Sequence, residues 1–139
     1  RVKPGADVAH ASEFVNRRDG GVDSPIAQGG SNVSGGQKQR LSIARAVYRH
    51  PEILIFDDSF SALDFKTDRA VRDALAEEAK DSTKLIVAQR IGTIMNADRI
   101  VVLDEGKVVG QGTHKELLEN CEVYRQSAES QLSESELTA

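Results

Sequence analysis

The stretch IFDDSFSALD, residues 55–64, places two aspartates side by side at the end of an apolar run. Residues 53–56 are Ile, Leu, Ile and Phe, and a continuous apolar run of this length is typical of a strand buried on both faces. Asp57 and Asp58 follow directly. The sequence therefore predicts a buried strand whose end presents two carboxylates. Their role has to be inferred from the other segments of the chain.

The composition indicates one modest soluble domain. The chain has 139 residues, of which 39% are hydrophobic and 29% are charged. A formal net charge of −4 gives no basic surface for nucleic acid or anionic lipid, so we expect no nucleic-acid partner. No apolar run approaches the roughly 18 residues of a membrane span. The single cysteine, Cys121, fits a reducing cytosol or a small buried side chain.

Strands alternate with helices along the chain, which predicts an α/β fold with buried parallel strands. Helices are predicted at residues 34–48, 64–79 and 91–95, and strands at residues 53–56, 85–88, 99–103 and 107–109, the last two forming a hairpin. Ligands of such folds gather beyond the carboxyl ends of the strands. Asp57, Asp58 and Gln89 all fall at strand ends, so we expect them in the ligand crevice.

The stretch NVSGGQKQR, residues 32–40, predicts a phosphate site at a helix start. Ser34 and Gln37 have the spacing of a capping box, and a simply capped helix is the alternative interpretation. That alternative does not explain Gly35 and Gly36, which weaken the first turn by roughly 1 kcal/mol each. Two glycines leave backbone N–H groups bare at the positive end of the helix dipole, where an anion binds.

The acids and Gln89 suggest a metal and a water nearby. A carboxylate at a strand end, here Asp57, is a usual anchor for Mg²⁺, directly or through water. Asp58 can then hold and deprotonate a neighbouring water, although both acids could instead cap the turn at residues 59–61. The amide of Gln89 can donate to a phosphate oxygen and accept from water, but it cannot carry the positive charge of a histidine. Taken alone, Gln89 could also be an ordinary polar residue that closes a strand.

Together these segments resemble the ATP-binding cassette family. NVSGGQKQR resembles its signature motif, ILIFDD (53–58) its Walker B strand, SALD (61–64) its D-loop and IVAQR (86–90) its switch, or H-loop. Residues 26–30 resemble the loop that touches the membrane domain in exporters, and residues 97–118 resemble the closing segment of exporter cassettes. The resemblance covers about residues 24–118, and its specificity lies in the order and spacing of the whole set.

The resemblance implies an ATPase that uses ATP and Mg²⁺. It assigns phosphate and nucleotide binding to Ser34, Gly35, Gly36, Gln37, Ser61 and Asp64, the metal to Asp57, and hydrolysis to Asp58 and Gln89. In this family two cassettes meet head to tail, and each signature closes over the nucleotide of the other. The implied partners are therefore a second cassette and the transmembrane domain of an exporter, fused upstream. The implied location is the cytoplasmic face of the plasma membrane.

One expected motif, G-x-x-x-x-G-K-[ST], does not occur in the sequence, where the only Gly-Lys pair, Gly106-Lys107, is followed by Val108. The sequence thus resembles the carboxyl-terminal part of a cassette, and the isolated chain is expected to be inactive. About residues 1–50 would form part of the helical subdomain with the signature helix. About residues 51–125 would form the second half of the catalytic core. About residues 126–139 would form a tail, whose end, QLSESELTA, is expected to fray.

Two further departures fall in the site of this chain's own Walker B strand. Asp58 stands where the family usually has glutamate, which shortens the reach by about 1.5 Å. Gln89 stands where the family usually has histidine. Because a general base must lie within hydrogen-bond range of its water, this site is expected to bind nucleotide and turn it over slowly.

The signature, in contrast, departs from the family nowhere, so this chain would complete its partner's site. That pattern favours one subunit of an asymmetric, heterodimeric exporter, with a symmetric homodimer of two slow sites as the alternative. A non-catalytic cassette that gates its partner is the second functional hypothesis. A DNA-repair or chromosome-organising ATPase is the third, although the long coiled coils and basic surfaces usual in those proteins do not occur in this sequence.

Overall fold

The computed structural model describes residues 2–137 and divides into two compact units, Arg1–Val87 and Ala88–Ala139. Both units combine helices with a two-stranded sheet. This mixture of helices and strands, with a parallel strand pair in the first unit, confirms the α/β prediction. Among the described residues, no helix has the length and apolar character needed to cross a bilayer.

The first unit builds a parallel strand pair and packs helices against it. Its elements are α1 (Val2–Val8), α2 (Ser12–Asn16), short 3₁₀ turns at Gly21–Asp23 and Gln28–Gly30, α3 (Gly35–Val47), β1 (Ile53–Asp57), α4 (Phe65–Glu78) and β2 (Thr83–Val87). In the parallel register Ile55 lies opposite Leu85, and Asp57 lies opposite Val87. Parallel strands need a long crossover, and α4 supplies it between β1 and β2.

The two long helices of this unit begin at capping residues that the sequence predicts. The Ser34 side chain accepts from the Gln37 N–H, while the Gln37 side chain accepts from the Ser34 N–H, which completes the predicted capping box of α3. The Asp64 side chain accepts from the Thr67 N–H and caps α4. Each cap satisfies a donor that the first helical turn would otherwise leave unpaired. The predictions for residues 34–48 and 64–79 therefore agree with α3 and α4 within a residue at each end.

The prediction that both strands are buried on both faces is wrong. Leu54 and Phe56 are 2% exposed, but Ile53 and Ile55, on the other face of β1, are 62% and 64% exposed. In β2, Leu85 and Val87 are likewise more than half exposed, and the strand begins at Thr83 and ends at Val87 instead of covering residues 85–88. A strand is buried on both faces only if a layer covers each side. The described helices of this unit cover one side.

The core of the first unit lies on the covered face. Side chains there are almost completely buried, including Ile43, Phe56, Phe60, Val71 and Leu75. The rings of Phe56 and Phe60 pack with centroids 5.4 Å apart and an interplanar angle of 50°. Phe60 follows the two acids in the chain, so its burial anchors the turn that carries Asp57 and Asp58.

The second unit is an antiparallel hairpin followed by three helices. Its elements are α5 (Ile91–Ile94), β3 (Ile100–Asp104), β4 (Lys107–Gly112), α6 (His114–Asn120), α7 (Glu122–Gln131) and α8 (Glu134–Leu137). Glu105 and Gly106 both have positive φ, 46° and 74°, which is the backbone of a tight hairpin turn. The predicted hairpin is confirmed, with a longer second strand than residues 107–109. A second core, separate from the first, contains Ile100, Leu117 and a buried Cys121.

The end of the chain contains a short helix, α8, within its polar sequence. Within the described part of residues 131–139, Ser133 and Glu136 bond to each other at the start of α8. Leu132 and Leu137 pack against the core of the second unit. These contacts attach part of residues 131–137 to the second unit, and the expected fraying of this end stays a prediction.

Candidate functional site

The signature turn, defined as Ser34 to Gln37, opens into a pocket of about 430 Å³. The pocket is lined by residues 34–36 and 62–64, together with Arg40 and Thr67. Among the described residues, none accepts a hydrogen bond from the N–H groups of Gly35 and Gly36. Bare N–H groups at the start of the 13-residue helix α3, beside the Ser34 hydroxyl, form a site for an anion.

The two glycines also permit close packing, which the sequence analysis did not anticipate. A Cβ atom on Gly36 would lie 3.0 Å from the carbonyl oxygen of Ala62 and 3.6 Å from Cδ2 of Leu63. A Cβ atom on Gly35 would lie 3.6 Å from the Cβ of Ala62. Gly36 therefore has a steric reason beyond its bare N–H group, because any larger residue would push α3 away from the turn that follows β1.

Arg40 lines the same pocket and lies one turn after the signature turn on α3. Its guanidinium lies 4.7 Å from the ring centroid of Phe14, and its Nη1 donates to the carbonyl oxygen of His10 at 2.8 Å. These contacts hold the side chain in place, so its charge adds to the helix dipole in favouring an anion. Arg40 lies within the motif of residues 32–40 but was not among the predicted site residues.

The aspartate turn, defined as residues 57–62, carries the two acids in exposed positions. Among the described residues, none donates a hydrogen bond to the carboxylate of Asp57 or Asp58, so the acids do not cap the turn at residues 59–61. Asp58 has a φ of +49°, a left-handed conformation that costs a non-glycine residue about 1–2 kcal/mol. Strain of this kind is common at functional sites and needs bonds elsewhere to maintain it.

Long-range hydrogen bonds supply that support. The Asp58 N–H donates to the carbonyl oxygen of Val87 at 3.0 Å. The Asp58 carbonyl accepts from Nε2 of Gln39 at 3.0 Å and from the Ser61 hydroxyl at 3.3 Å. Gln39 belongs to α3, so the signature helix itself holds this turn. Gln39 was not among the predicted site residues, and no local pattern in the sequence points to it.

A metal ion at this turn would depend on ligands from outside the chain. Among the described residues, no three acidic, histidine or cysteine side chains converge on one point. Mg²⁺ is usually bound by one or two carboxylates together with phosphate oxygens and water. An exposed Asp57 carboxylate without a hydrogen-bond partner fits that arrangement, and it requires a phosphate-bearing ligand.

The remaining predicted residues are partly engaged in holding the structure. The Asp64 carboxylate accepts from the N–H and the hydroxyl of Thr67 at 2.9 and 2.8 Å, and these bonds lower the pKa of Asp64 below its usual value. The side-chain oxygen of Gln37 is used in the capping box, which leaves its NH₂ group for a ligand. Ser61 binds the aspartate turn and accepts from Gln39. Asp64 shares a pocket with the signature turn, whereas Ser61 does not line it.

Gln89 is exposed and belongs to the second unit. Its carbonyl oxygen accepts from Nε2 of Gln131 at 3.1 Å, while Oε1 of Gln131 accepts from the Ile91 N–H at 2.9 Å. Gln131 thus holds the backbone on both sides of Arg90 and leaves the Gln89 amide free to reach a ligand. Because Gln131 is some forty residues away in sequence, nothing local could have identified it.

Comparison with known proteins agrees with this architecture. The family model for ABC transporters matches residues 4–61. The ATP-dependent lipid A-core flippase of Escherichia coli K12 is 45% identical over 126 residues, which cover 91% of this chain and 22% of the flippase. An ABC transporter ATP-binding protein of Mycobacterium tuberculosis H37Rv is 50% identical over 124 residues, covering 89% of this chain and 21% of that protein.

A solved structure gives the same answer for the fold. A bacterial Atm1-family ABC exporter with ATP bound superposes with a TM-score of 0.90 and 35% identity, over 96% of this chain and 24% of that chain. The fold is thus that of part of an ATP-binding cassette, while the roles of the candidate site residues stay predictions. In sequence this chain matches ABC transporters, and in fold it matches part of an ABC exporter. It spans about a fifth of the length of the curated relatives it matches.

Proposed function

We propose that this chain forms part of the ATP-binding and hydrolysing domain of a membrane exporter. The observation that carries the proposal is the signature turn, where unpartnered N–H groups and the Ser34 hydroxyl lie at an open pocket that Arg40 also lines. The donors suit the terminal phosphate of a nucleotide held mainly by a second cassette. The names of the relatives, a flippase and an exporter, support transport as the process that hydrolysis drives.

The residues at the end of β1 would serve this chain's own nucleotide. Asp57 would hold Mg²⁺, which supplies positive charge to the phosphate oxygens. Asp58 would accept a hydrogen bond from the attacking water and take its proton as the water oxygen bonds to the γ-phosphorus and the bond to the β-phosphate oxygen breaks. Gln89 would donate its amide N–H to the γ-phosphate. Ser61 would line the nucleotide site near Asp58, whereas Asp64 would line the pocket of the signature turn and face the partner's nucleotide.

This second site is proposed to be slow. The carboxylate of Asp58 is a methylene shorter than the glutamate of the family pattern, and Gln89 cannot be protonated as a histidine can. One weakened site and one intact signature favour a heterodimer in which the partner's site does most of the hydrolysis. The same two departures favour, as a second candidate, a cassette that binds nucleotide and gates its partner without hydrolysis of its own.

Two surfaces suit the partners of an exporter cassette. An apolar groove of about 250 Å³, lined among others by Phe14, Val22, Ile26 and Leu41, adjoins residues 26–30 and would receive the transmembrane domain at the cytoplasmic face of the membrane. The exposed apolar face of β1 and β2 would be covered by the rest of the cassette, which would restore the burial on both faces that the strand sequence predicts.

The proposal is tested by a bulky, charged substitution in the signature turn. In the assembled exporter, Ser34→Arg should lower ATP hydrolysis at the partner's site by at least about 100-fold, the usual cost of losing a preorganised phosphate donor. Ser42→Arg, an exposed position on the same helix, is the matched control and should leave turnover unchanged. Equal turnover in wild type and Ser34→Arg would contradict the proposal.

A further inference from the structure

Gln39 joins the signature helix to the aspartate turn through one side chain. Its Nε2 donates to the carbonyl oxygen of Asp58 and to the Ser61 hydroxyl, both at 3.0 Å. Its Oε1 accepts from the Ala62 N–H at 2.9 Å. A side-chain amide offers two N–H donors and one oxygen, so every polar group of Gln39 is engaged with this turn. One residue of α3 therefore fixes three points between residues 58 and 62.

These bonds fix the backbone from which the Asp58 carboxylate projects. Asp58 holds a positive φ of 49°, and its own carboxylate has no hydrogen-bond partner among the described residues. Only its backbone is held, by Val87 through the N–H and by Gln39 and Ser61 through the carbonyl. The side chain of Asp58 does not help to hold its left-handed backbone. Without the Gln39 bonds, that backbone can relax to a less strained conformation and displace the Asp58 carboxylate.

The signature turn packs against the same segment through Gly36. Gly36 approaches Ala62 so closely that an added Cβ would meet the Ala62 carbonyl oxygen at 3.0 Å. Gln39 follows Gly36 by three residues, so both lie on one face of α3 and touch the aspartate turn. A displacement of the first turn of α3 is thus transmitted directly to Asp58.

We propose that Gln39 is a positioning residue that holds Asp58 in register with the signature turn, so that phosphate binding at Ser34 and Gly36 sets the carboxylate of this chain's own site. The inference rests on the proposed function, since it needs two nucleotide sites that share one chain. Gln39 touches neither nucleotide in this role. It acts through the backbone of Asp58 and Ala62.

Two substitutions separate positioning from general support of the fold. Gln39→Leu removes all three hydrogen bonds with little change in volume. Gln39→Glu keeps the oxygen that accepts from Ala62 but removes the donors to Asp58 and Ser61. The matched control is Gln126→Leu, on α7, whose amide makes one hydrogen bond to Glu122 at 3.1 Å within its own helix.

The experiment measures single-site ATP turnover and hydrogen–deuterium exchange in the assembled exporter. Both Gln39 variants should lower kcat at the Asp58 site about tenfold, as expected for a misplaced catalytic group, while KM for ATP changes less than about twofold. Exchange should accelerate over residues 58–62 and over residues 34–37 in Gln39→Leu. In Gln39→Glu, the Ala62 amide should stay protected while kcat falls, and Gln126→Leu should match wild type in every measurement.

Three results would overturn the inference. One is faster exchange at residues 58–62 with an unchanged kcat. A second is a rise in KM that parallels the fall in kcat, which indicates a purely structural role. The third is unaltered exchange at residues 34–37 in Gln39→Leu. A wild-type exporter that hydrolyses no ATP would refute the proposed function instead, and the inference would then be decided by exchange at residues 34–37 alone.

Discussion

The two units of the chain bury polar groups in opposite ways. In the first unit, Asp68 is 2% exposed and pairs with Arg72 on the next turn of α4, with Nε 2.7 Å from Oδ1. In the second unit, Nδ1 of His114 lies 2.7 Å from the hydroxyl of Tyr124, and its Nε2 is buried without a hydrogen-bond partner. The first unit therefore keeps a compensated charge in its interior, whereas the second keeps a neutral pair.

The difference follows from what each interior can tolerate. A buried charge is stable only with a partner, and a buried histidine without an acid beside it stays neutral. Burial accordingly lowers the pKa of His114 below 6.5 and raises the pKa of Tyr124 to about 12. The first unit, which carries every candidate site residue except Gln89, thus contains a buried ion pair, whereas the second contains a buried neutral pair that protonation of His114 would disturb.

The largest predicted effect on stability is at Asp68. Asp68→Ala leaves the largely buried Arg72 guanidinium without its partner, which should lower the free energy of unfolding by about 3 kcal/mol. Asp73→Ala is the matched control on the same helix, because Asp73 is exposed and only 3.9 Å from Arg69, and it should cost less than about 0.5 kcal/mol. Urea unfolding of the chain measures both. Equal losses would show that the buried pair contributes no more than a surface pair.

A double substitution with one change in each unit tests whether Asp58 and Gln89 slow ATP turnover at this chain's own site. Asp58→Glu restores the longer acid and Gln89→His restores a group that can be protonated. Together they should raise ATP turnover at this chain's own site by about tenfold, with each single variant gaining less. The measurement is single-site hydrolysis in the assembled exporter, with nucleotide binding as the control. If nucleotide still binds and turnover does not rise, the argument from reach and charge is wrong.

The smallest expected effect is a pH dependence confined to the second unit. The folded pKa of His114 lies below its unfolded value of 6.5, so the unfolded state binds a proton first as pH falls. The stability of the second unit should be complete above pH 6.5 and decline below it until the folded pKa is reached. Unfolding measured at pH 7.5 and pH 5.5 should show this loss in wild type and a smaller one in His114→Gln.

Exposed histidines provide the control for that measurement. His10→Gln and His50→Gln, both in the first unit, should retain the wild-type pH dependence. If the pH dependence persists in His114→Gln but disappears in either control, the titrating histidine lies in the first unit, and the assignment to His114 is wrong.

The sequence predicted best where the signals act within a few residues. Ser34 and Gln37 cap α3, Asp64 starts α4, and Glu105-Gly106 turns the hairpin, each through bonds or backbone angles confined to a short segment. The signature turn, the two acids and Gln89 were selected from similar local patterns, and the structure exposes them at helix and strand ends. Their roles with ATP and Mg²⁺ stay predictions.

The sequence failed where the outcome depended on distant partners. It did not reveal that Gln39 and Val87 hold Asp58 in a left-handed conformation, or that Gln131 holds the backbone of Gln89. The prediction that β1 is buried on both faces was also wrong. An apolar strand can be covered on both faces, but its own sequence does not determine whether other elements cover it.

By itself, the sequence determined the positions of α3, α4, α5 and the four strands, the caps of α3 and α4, the hairpin turn, and the family that the chain resembles. These features depend on spacing along the chain, where neighbouring residues meet whatever the rest of the molecule does. The tertiary structure alone decided which strand faces are covered, how closely Gly36 packs on Ala62 and which residues hold Asp58. Contacts of this kind exist only after folding has brought residues from distant parts of the sequence within hydrogen-bond and van der Waals range.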